Sequence, residues 1–502
     1  MRLLTGTIRD IVTGRKVEAR VQIIGPSGAP IAPDHSMWKI GPGKAFFYSD
    51  GSFSLEVPRG RVQITVERGT EYVPWCETLT CEEDAPIALD IPLKRWCDPA
   101  SHGWHPGNTH VHYKETEKDP DRRLLFDSRA ENLRVFAISS VVRGAFKYAT
   151  NRYPPGRLAA FSDDLHHVQM GEETRHNMGG EHASSLRLLT NMGDPINQTE
   201  GGAHTYGFGH VLLLNIRESV LPISRGLLVN PSAPDYPPIS YACDEAKNQG
   251  GLVIWAHNGH GIECAVASIL GKVDALNVWD TYWEDLEYEV WYRLLTCGLK
   301  LPASTGSDWF VCSANRVYVK TRPIFVYEEW LEALRRGKSF VTNGPLIDIS
   351  VNGRAIGETV SVVAGRTVTV TVEWSSYHPL HEVEIIANGT VKHVRRFKNG
   401  SASGSFKCDV QIEGDGWVAA RAGSDCRDSF DQPIWAHTSP IYIAAGGVVT
   451  TEKIAAARWF AQRIDESIAW LSTSGKFENE QQRKEVLELF GLARAKYEQL
   501  AR

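Results

Sequence analysis

The chain has no long apolar run. Nothing in its 502 residues approaches the roughly 20 consecutive apolar positions a bilayer-spanning helix needs, so no membrane partner is expected. It also lacks an excess of positive charge. Lys and Arg number 54 against 60 Asp and Glu, a net charge of −6, which excludes the basic footprint of a nucleic-acid binder. No Cys-x-x-Cys occurs; the nine cysteines are scattered and odd in number, with Cys76 and Cys81 the nearest pair. They read as reduced, mostly buried thiols. The opening Met1-Arg2-Leu3-Leu4-Thr5-Gly6-Thr7 has no apolar signal-peptide core, so the expected location is cytoplasmic. There is no Gly-x-Ser-x-Gly elbow and no Cys-His-Asn pattern, which ranks a serine or cysteine nucleophile last.

What is present is an ordinary globular composition, 42% hydrophobic and 23% charged. The length suits about three domains of roughly 150 residues each. Residues 1–97 read as all-β. Phe53, Leu55 and Val57 alternate, as do Val62, Ile64 and Val66, with Pro58-Arg59-Gly60-Arg61 between them; this predicts a β-hairpin. Residues 98–345 alternate strands with helices, which predicts a parallel α/β arrangement. The strands are expected at 135–139, 251–256, 274–279 and 301–304. A helix is expected over 285–297, with Leu286, Val290, Leu294 and Cys297 on one face and Gly298 as its cap. Residues 346–446 return to β, with tight turns at Asn352-Gly353 and Asn388-Gly389. Residues 447–502 carry two apolar stripes, Ala457, Phe460, Ala461, Ile464, Ile468, Leu471 and Val486, Leu489, Phe490, Ala493, Tyr497, Leu500. They predict a helical hairpin that packs on this chain or mediates a homo-oligomer.

Candidate metal ligands recur beside the strand-like runs. Asn108-Thr109-His110-Val111-His112 comes first, ahead of the strand expected at Val135. With 17 histidines, chance supplies about half of one such His-x-His, so the pair alone is weak. In extended chain, however, residues two apart share a side, and His110 and His112 can address one ion. Gly171-Glu172-Glu173 offers a carboxylate able to bridge two cations; the residues alone do not say which glutamate. His210 follows Gly207-Phe208-Gly209, His257 follows Trp255-Ala256, and Asp308 ends Thr305-Gly306-Ser307-Asp308. Ligands at the C-terminal ends of barrel strands are where such enzymes hold them. Imidazoles with carboxylates suit zinc, iron or manganese better than magnesium or calcium.

The order His-x-His, Gly-x-Glu, Gly-His, Ala-His, Gly-Ser-Asp resembles the PHP (polymerase and histidinol phosphatase) metallohydrolases. Within them the chain is similar to the CehA/McbA, or carbaryl-hydrolase-like, family. The segments that carry this likeness include Leu270-Gly271-Lys272-Val273-Asp274-Ala275-Leu276, Asn315-Arg316-Val317-Tyr318-Val319 and Ser339-Phe340-Val341-Thr342-Asn343-Gly344-Pro345. The N-terminal Gly6-Thr7-Ile8-Arg9-Asp10 … Thr13-Gly14-Arg15-Lys16-Val17 … Ala19-Arg20-Val21 resembles a carboxypeptidase regulatory-like β domain.

These resemblances imply a multidomain α/β plus β protein, a distorted (β/α)7 barrel flanked by N- and C-terminal β-sandwiches and the helical hairpin. They imply one ion on His110, His112, Glu173 and Asp308 and a second on Glu173, His210 and His257. A metal-bound water would attack an ester, carbamate or phosphoester of a small-molecule substrate. Tyr113-Lys114-Glu115 replaces the acidic turn, and Phe310 the histidine, that a third ion would need. Arg143, Lys147, His260 and Glu263 are candidate substrate or supporting contacts. Trp255, Trp279, Trp283 and Trp309 are candidate core or pocket walls, and Arg316 reads as structural. The stretch 174–206, with Arg175, His176, His182 and His204, has no match and is a candidate lid. The sparse basic residues near the motifs lean toward a neutral acyl substrate. The alternative is a non-catalytic ligand- or carbohydrate-binding protein with a vestigial metal barrel.

Overall fold

Alternating apolar residues build the N-terminal strands, and the computed structural model shows how they pair. It describes all residues except 83–84, 179–204, 280–287 and 309–313. β1 (Arg2–Asp10), β2 (Ala19–Ile24), β3 (Pro30–Ile31), β4 (Phe47–Ser49), β5 (Ser52–Val57), β6 (Gly60–Glu67), β7 (Trp75–Cys81) and β8 (Ile87–Leu93) form two sheets. One runs β5-β1-β8; the other runs β3-β2-β6-β7, with β4 on β2. The predicted hairpin is therefore wrong: β5 pairs with β1, and β6 with β2 and β7. Phe53, Leu55 and Val57 instead share one core with Val62, Ile64 and Val66 from the other sheet. Alternation dictates which face is buried, whereas the partner strand is settled by competition with distant β1 and β2.

The middle region is a curled sheet that closes on itself. Its strands are β9 (Trp104–Val111), β10 (Val135–Ser140), β12 (His167–Met178), β13 (Thr205–Leu214), β15 (Leu252–Trp255), β16 (Ala275–Asn277) and β17 (Ala303–Ser304). Short β11 (Gly156–Arg157) and β14 (Ser224–Gly226) flank β12. β10 and β15 are buried at every residue, as strands covered on both faces must be. Neighbours run parallel except around β13, which is antiparallel to both β12 and β15. Closure lies between β9 and the segment after β17. Asp308 N–H donates to the His110 carbonyl at 2.8 Å and His112 N–H to the Asp308 carbonyl at 3.0 Å, and Val111 bridges Asp308 in parallel.

Helices α1 (Pro120–Ala130), α2 (Ile239–Asn248), α3 (Cys264–Ile269), α4 (Glu289–Thr296) and α5 (Tyr327–Arg335) belong to this region. α1 starts by rule: Pro120 opens it, and the Asp119 carboxylate accepts the Arg122 N–H at 3.2 Å. The helix expected over 285–297 is α4, with Gly298 left-handed at φ 90° just beyond it; residues 285–287 lie outside the described residues.

The sheet continues past residue 345. β18 (Arg316–Lys320) pairs with β9 and with β19 (Ser339–Thr342), and β19 pairs with a strand of the third region. That region comprises β20 (Leu346–Val351), β21 (Thr359–Ser361), β22 (Thr367–Ala387), β23 (Thr390–Gln411), β24 (Gly416–Arg427), β25 (Pro433–Thr438) and β26 (Ile441–Ala444). Asn388-Gly389 joins β22 to β23 with both residues at positive φ, 49° and 79°, as expected of a tight hairpin turn. At the C-terminus, α6 (Thr451–Thr473) and α7 (Glu480–Leu500) are capped by the Thr450 and Asn479 side chains. Phe460, Ile464, Leu471, Val486, Phe490 and Tyr497 are buried in the same core as the closed sheet. The Tyr497 hydroxyl donates to the Ala265 carbonyl at 2.9 Å. The apolar stripes predicted for these helices are thus covered within the chain. No described helix is long and apolar enough to cross a membrane.

Candidate metal centre

Four imidazoles and two carboxylates converge inside the closed sheet. His110 and His112 sit at the end of β9 itself rather than ahead of a strand, and their Nε2 atoms lie 3.2 Å apart. Asp308 Oδ1 is 3.3 Å from His110 Nε2 and 3.6 Å from His112 Nε2. Glu173 divides its oxygens. Oε2 is 2.9 Å from His112 Nε2, while Oε1 is 2.9 Å from His210 Nδ1 and 3.4 Å from His257 Nε2. His257 Nε2 and His210 Nδ1 are 3.0 Å apart. All six residues are buried.

These spacings fit a divalent cation. Ligands about 2.1 Å from a tetrahedral ion stand about 3.4 Å from one another. His110, His112 and Asp308 offer one group of ligand atoms within 4.8 Å of each other, and His110, Glu173 and His257 another. Glu173 Oε2 and Asp308 Oδ1 are buried yet make no well-formed hydrogen bond, although imidazole nitrogens lie this close. Six side chains thus turn nitrogen and oxygen atoms toward common points, the arrangement a ligand shell requires.

Local structure explains how each group gets there. Glu173 lies within β12, not in a turn, so period-2 alternation separates it from Glu172. Glu172 faces the opposite side, accepting from Thr174 Oγ1 at 2.6 Å and Val220 N–H at 2.9 Å. His210 lies within β13, opposite Arg175. Because β13 runs antiparallel, its early residues reach the end of the sheet where the parallel strands finish. This corrects the expectation that His210 ends a parallel strand. His257 follows β15 directly and, with Asn258, Trp279 and Asp308, holds positive φ (54°, 56°, 57° and 50°). Left-handed backbone at non-glycine residues stores strain, and two of the candidate ligands, His257 and Asp308, carry it. Gly306 is required by contact: a Cβ there would fall 2.4 Å from His110 Cβ.

Supporting contacts set the tautomers. His112 Nδ1 is 3.1 Å from the Ser139 carbonyl and His210 Nε2 is 2.5 Å from Asn177 Oδ1. Each ring nitrogen donates there, which leaves His112 Nε2 and His210 Nδ1 with lone pairs facing inward. Burial lowers the His210 pKa to about 3, against the pull of Glu173, so the ring is neutral. Burial also acts to raise Glu173, but Arg175 and then His210 outweigh it and hold the carboxyl well below its ordinary range. Burial raises Asp308, opposed by His110, His257 and His112.

Arg175 has no role assigned from sequence, yet its Nε lies 3.4 Å from Glu173 Oε2. Its signal was the period-2 row Glu173, Arg175, Asn177 on one strand face. Burial raises the Tyr148 phenol while Arg175 and then Arg143 lower it, which puts both cations near one buried ring. Of the other candidates, His260 is tied to a ligand residue, its N–H donating to the His257 carbonyl at 3.0 Å. Glu263 accepts the Ile239 and Ser240 N–H groups at 2.8 and 2.7 Å, holding the start of α2. The His260 carbonyl accepts the Trp255 indole N–H at 2.7 Å, and Lys147 is exposed. Trp255 and Trp279 are core residues, and Arg316 pairs with Glu131 at 3.3 Å. Trp283, Trp309, Phe310, His182, His204 and most of the candidate lid lie outside the described residues.

No protein-family model matches the chain, and comparison with curated proteins finds no relative. Among solved structures it is matched to the β-glucuronidase of Parabacteroides merdae at 13% identity, with 86% of this chain and 60% of that one covered. The TM-score is 0.18. β-Glucuronidase 3 of Bacteroides uniformis matches at 11% identity and TM-score 0.17, covering 88% and 63%. The chain spans under two thirds of these enzymes, and likeness at that level carries no argument about fold or activity.

Proposed function

We propose that this chain is a metal-dependent hydrolase of the PHP type, resembling the CehA/McbA family, acting on a small-molecule ester, carbamate or phosphoester in the cytoplasm. In this reading the closed sheet is the distorted (β/α)7 barrel. The N-terminal module is the carboxypeptidase regulatory-like sandwich, and the third region is the second sandwich. One observation carries it: the two oxygens of buried Glu173 face two different sets of buried nitrogens, as a bridging carboxylate does.

His110, His112, Glu173 and Asp308 would hold one ion, and Glu173, His210 and His257 the other. Zinc, manganese or iron bound there supplies Lewis-acid activation of water and of the scissile carbonyl or phosphoryl oxygen. The chain's own part is to keep His210 neutral by burial and Glu173 ionised beside Arg175. Ser139 and Asn177 hold two of the rings in place, and the surrounding apolar core limits water.

Elemental analysis of purified protein should find stoichiometric metal. A panel of aryl esters, carbamates and phosphodiesters should show turnover that falls to background in His110→Ala and Asp308→Ala. Turnover retained in both variants rejects the hydrolase, and absence of metal favours the non-catalytic binding protein.

A further inference from the structure

The outer face of the β12–β13 pair carries a second buried polar group that the ligand set does not use. His176 is three residues beyond Glu173 and points the other way. Its Nδ1 accepts the Phe208 N–H at 2.9 Å, so its Nε2 donates to Asp235 Oδ1 at 2.8 Å. Its ring stacks on Phe208 with centroids 4.2 Å apart. His176 and Asp235 are both buried. Asp235 is tied in turn to the connection between the C-terminal helices. Its Oδ2 accepts the Lys476 N–H at 2.8 Å, and its own N–H donates to the Lys476 carbonyl at 2.8 Å. Gly226 packs against this pair so closely that a Cβ would lie 2.8 Å from His176 Nε2.

His176 is flanked in sequence by Arg175 and Asn177, which contact Glu173 and His210. Asn177 follows His176 and fixes His210 from inside. Gly209, opposite His176 in register, precedes His210. The pairing of β12 with β13 shifts register just after His176, where a ladder alone specifies alignment least. A buried hydrogen-bonded chain at that point supplies what the ladder does not.

We propose that Asp235 and His176 are positioning residues for the candidate metal centre. Through them, the turn joining α6 and α7 sets the alignment of β12 on β13 and so the placement of His210 against Glu173. This inference rests on the metal-centre reading above. The C-terminal helical hairpin then serves the site as well as the core.

Asp235→Asn is the decisive substitution. Asparagine keeps the shape but has one side-chain oxygen where aspartate uses two, so either the His176 or the Lys476 link is lost. In the full-length chain, zinc affinity measured by chelator competition should fall about tenfold or more, the range seen when support to a metal ligand is removed. The absorption bands of the cobalt-loaded protein should shift with His210. Tyr236→Phe is the control. It removes only the Tyr236 hydroxyl bond to Glu485 Oε2, 2.7 Å long, on the same docked surface, and should leave zinc affinity and cobalt bands unchanged. Wild-type affinity and bands in Asp235→Asn overturn the proposal, as does an equal loss in Tyr236→Phe, which would mean general loosening. A wild-type chain that binds neither zinc nor cobalt instead overturns the metal-centre reading, and this inference with it.

Discussion

Two of the buried clusters of ionisable side chains among the described residues are built on opposite plans. Where the N-terminal module meets the closed sheet, Glu131 sits between two guanidiniums. Arg20 Nε is 2.9 Å from one oxygen and Arg316 Nη2 is 3.3 Å from the other. Arg20 also pairs with Glu67 at 3.2 Å, and Arg316 Nη1 donates to the Glu131 carbonyl at 2.9 Å. Every charge there has its counter-charge from the protein. In the metal centre two carboxylates face four buried imidazoles, with Arg175 beside one of the carboxylates. Potential ligand atoms there lie within 4.8 Å of one another in two overlapping groups. A compensated cluster fastens modules together, whereas one rich in lone pairs awaits cations.

Breaking the second cluster should have the larger functional effect. His110→Ala or Asp308→Ala should bring turnover to background and lower bound metal, while the metal-free protein melts near the wild-type temperature. Breaking the first should do the reverse. Glu131→Ala leaves buried Arg316 without its carboxylate and Arg20 with Glu67 alone, and should destabilise the fold by about 3–5 kcal/mol, read by denaturant unfolding. Metal content per folded chain should not change. If Glu131→Ala abolished metal binding in folded protein, the division of roles would fail.

Acid sharpens the comparison. Burial holds His210 in the metal centre and His437 in the aromatic cluster at a pKa of about 3, against about 6.5 in unfolded chain. Between these values the unfolded state binds more protons. Stability from these groups is complete above about pH 6.5 and is lost as pH falls toward 3. Each contributes a slope of up to about 1.4 kcal/mol per pH unit. Metal-free protein followed by circular dichroism should therefore weaken steadily below pH 6.5; a flat profile from 6.5 to 4 contradicts the buried neutral rings. The smallest effect belongs to an exposed pair. Arg152 lies 2.5 Å from Asp121 with more than half of each side chain in solvent, so Arg152→Ala should change stability by no more than about 1 kcal/mol.

Much of the candidate site was legible as spacing. His110-x-His112 works because alternate residues of a strand share a side, and the turn glycines fall where positive φ is needed. The resemblance's Gly-x-Glu motif picked Glu173 over Glu172, and the strand that contains them supplies the physical reason, since adjacent residues of a strand face opposite ways. Asn177 and Arg175 were hidden for the same reason. Asp235 and Lys476 were hidden more deeply, because nothing local links them to His176. The hairpin read at Pro58-Arg59 failed because a turn specifies a change of direction but not the partner.

Local chemistry in the sequence alone determined which segments are strands and helices, which faces are apolar, where turns fall and which residues are able to bind a cation. Those properties depend on backbone geometry and side-chain type within a few residues. Only the tertiary structure decided that β13 runs against its neighbours, that β5 and β6 part to different sheets, and that the C-terminal helices cover the core beside His176. Such pairings are contests between segments far apart in the chain, settled by total burial and hydrogen bonding rather than by any local preference.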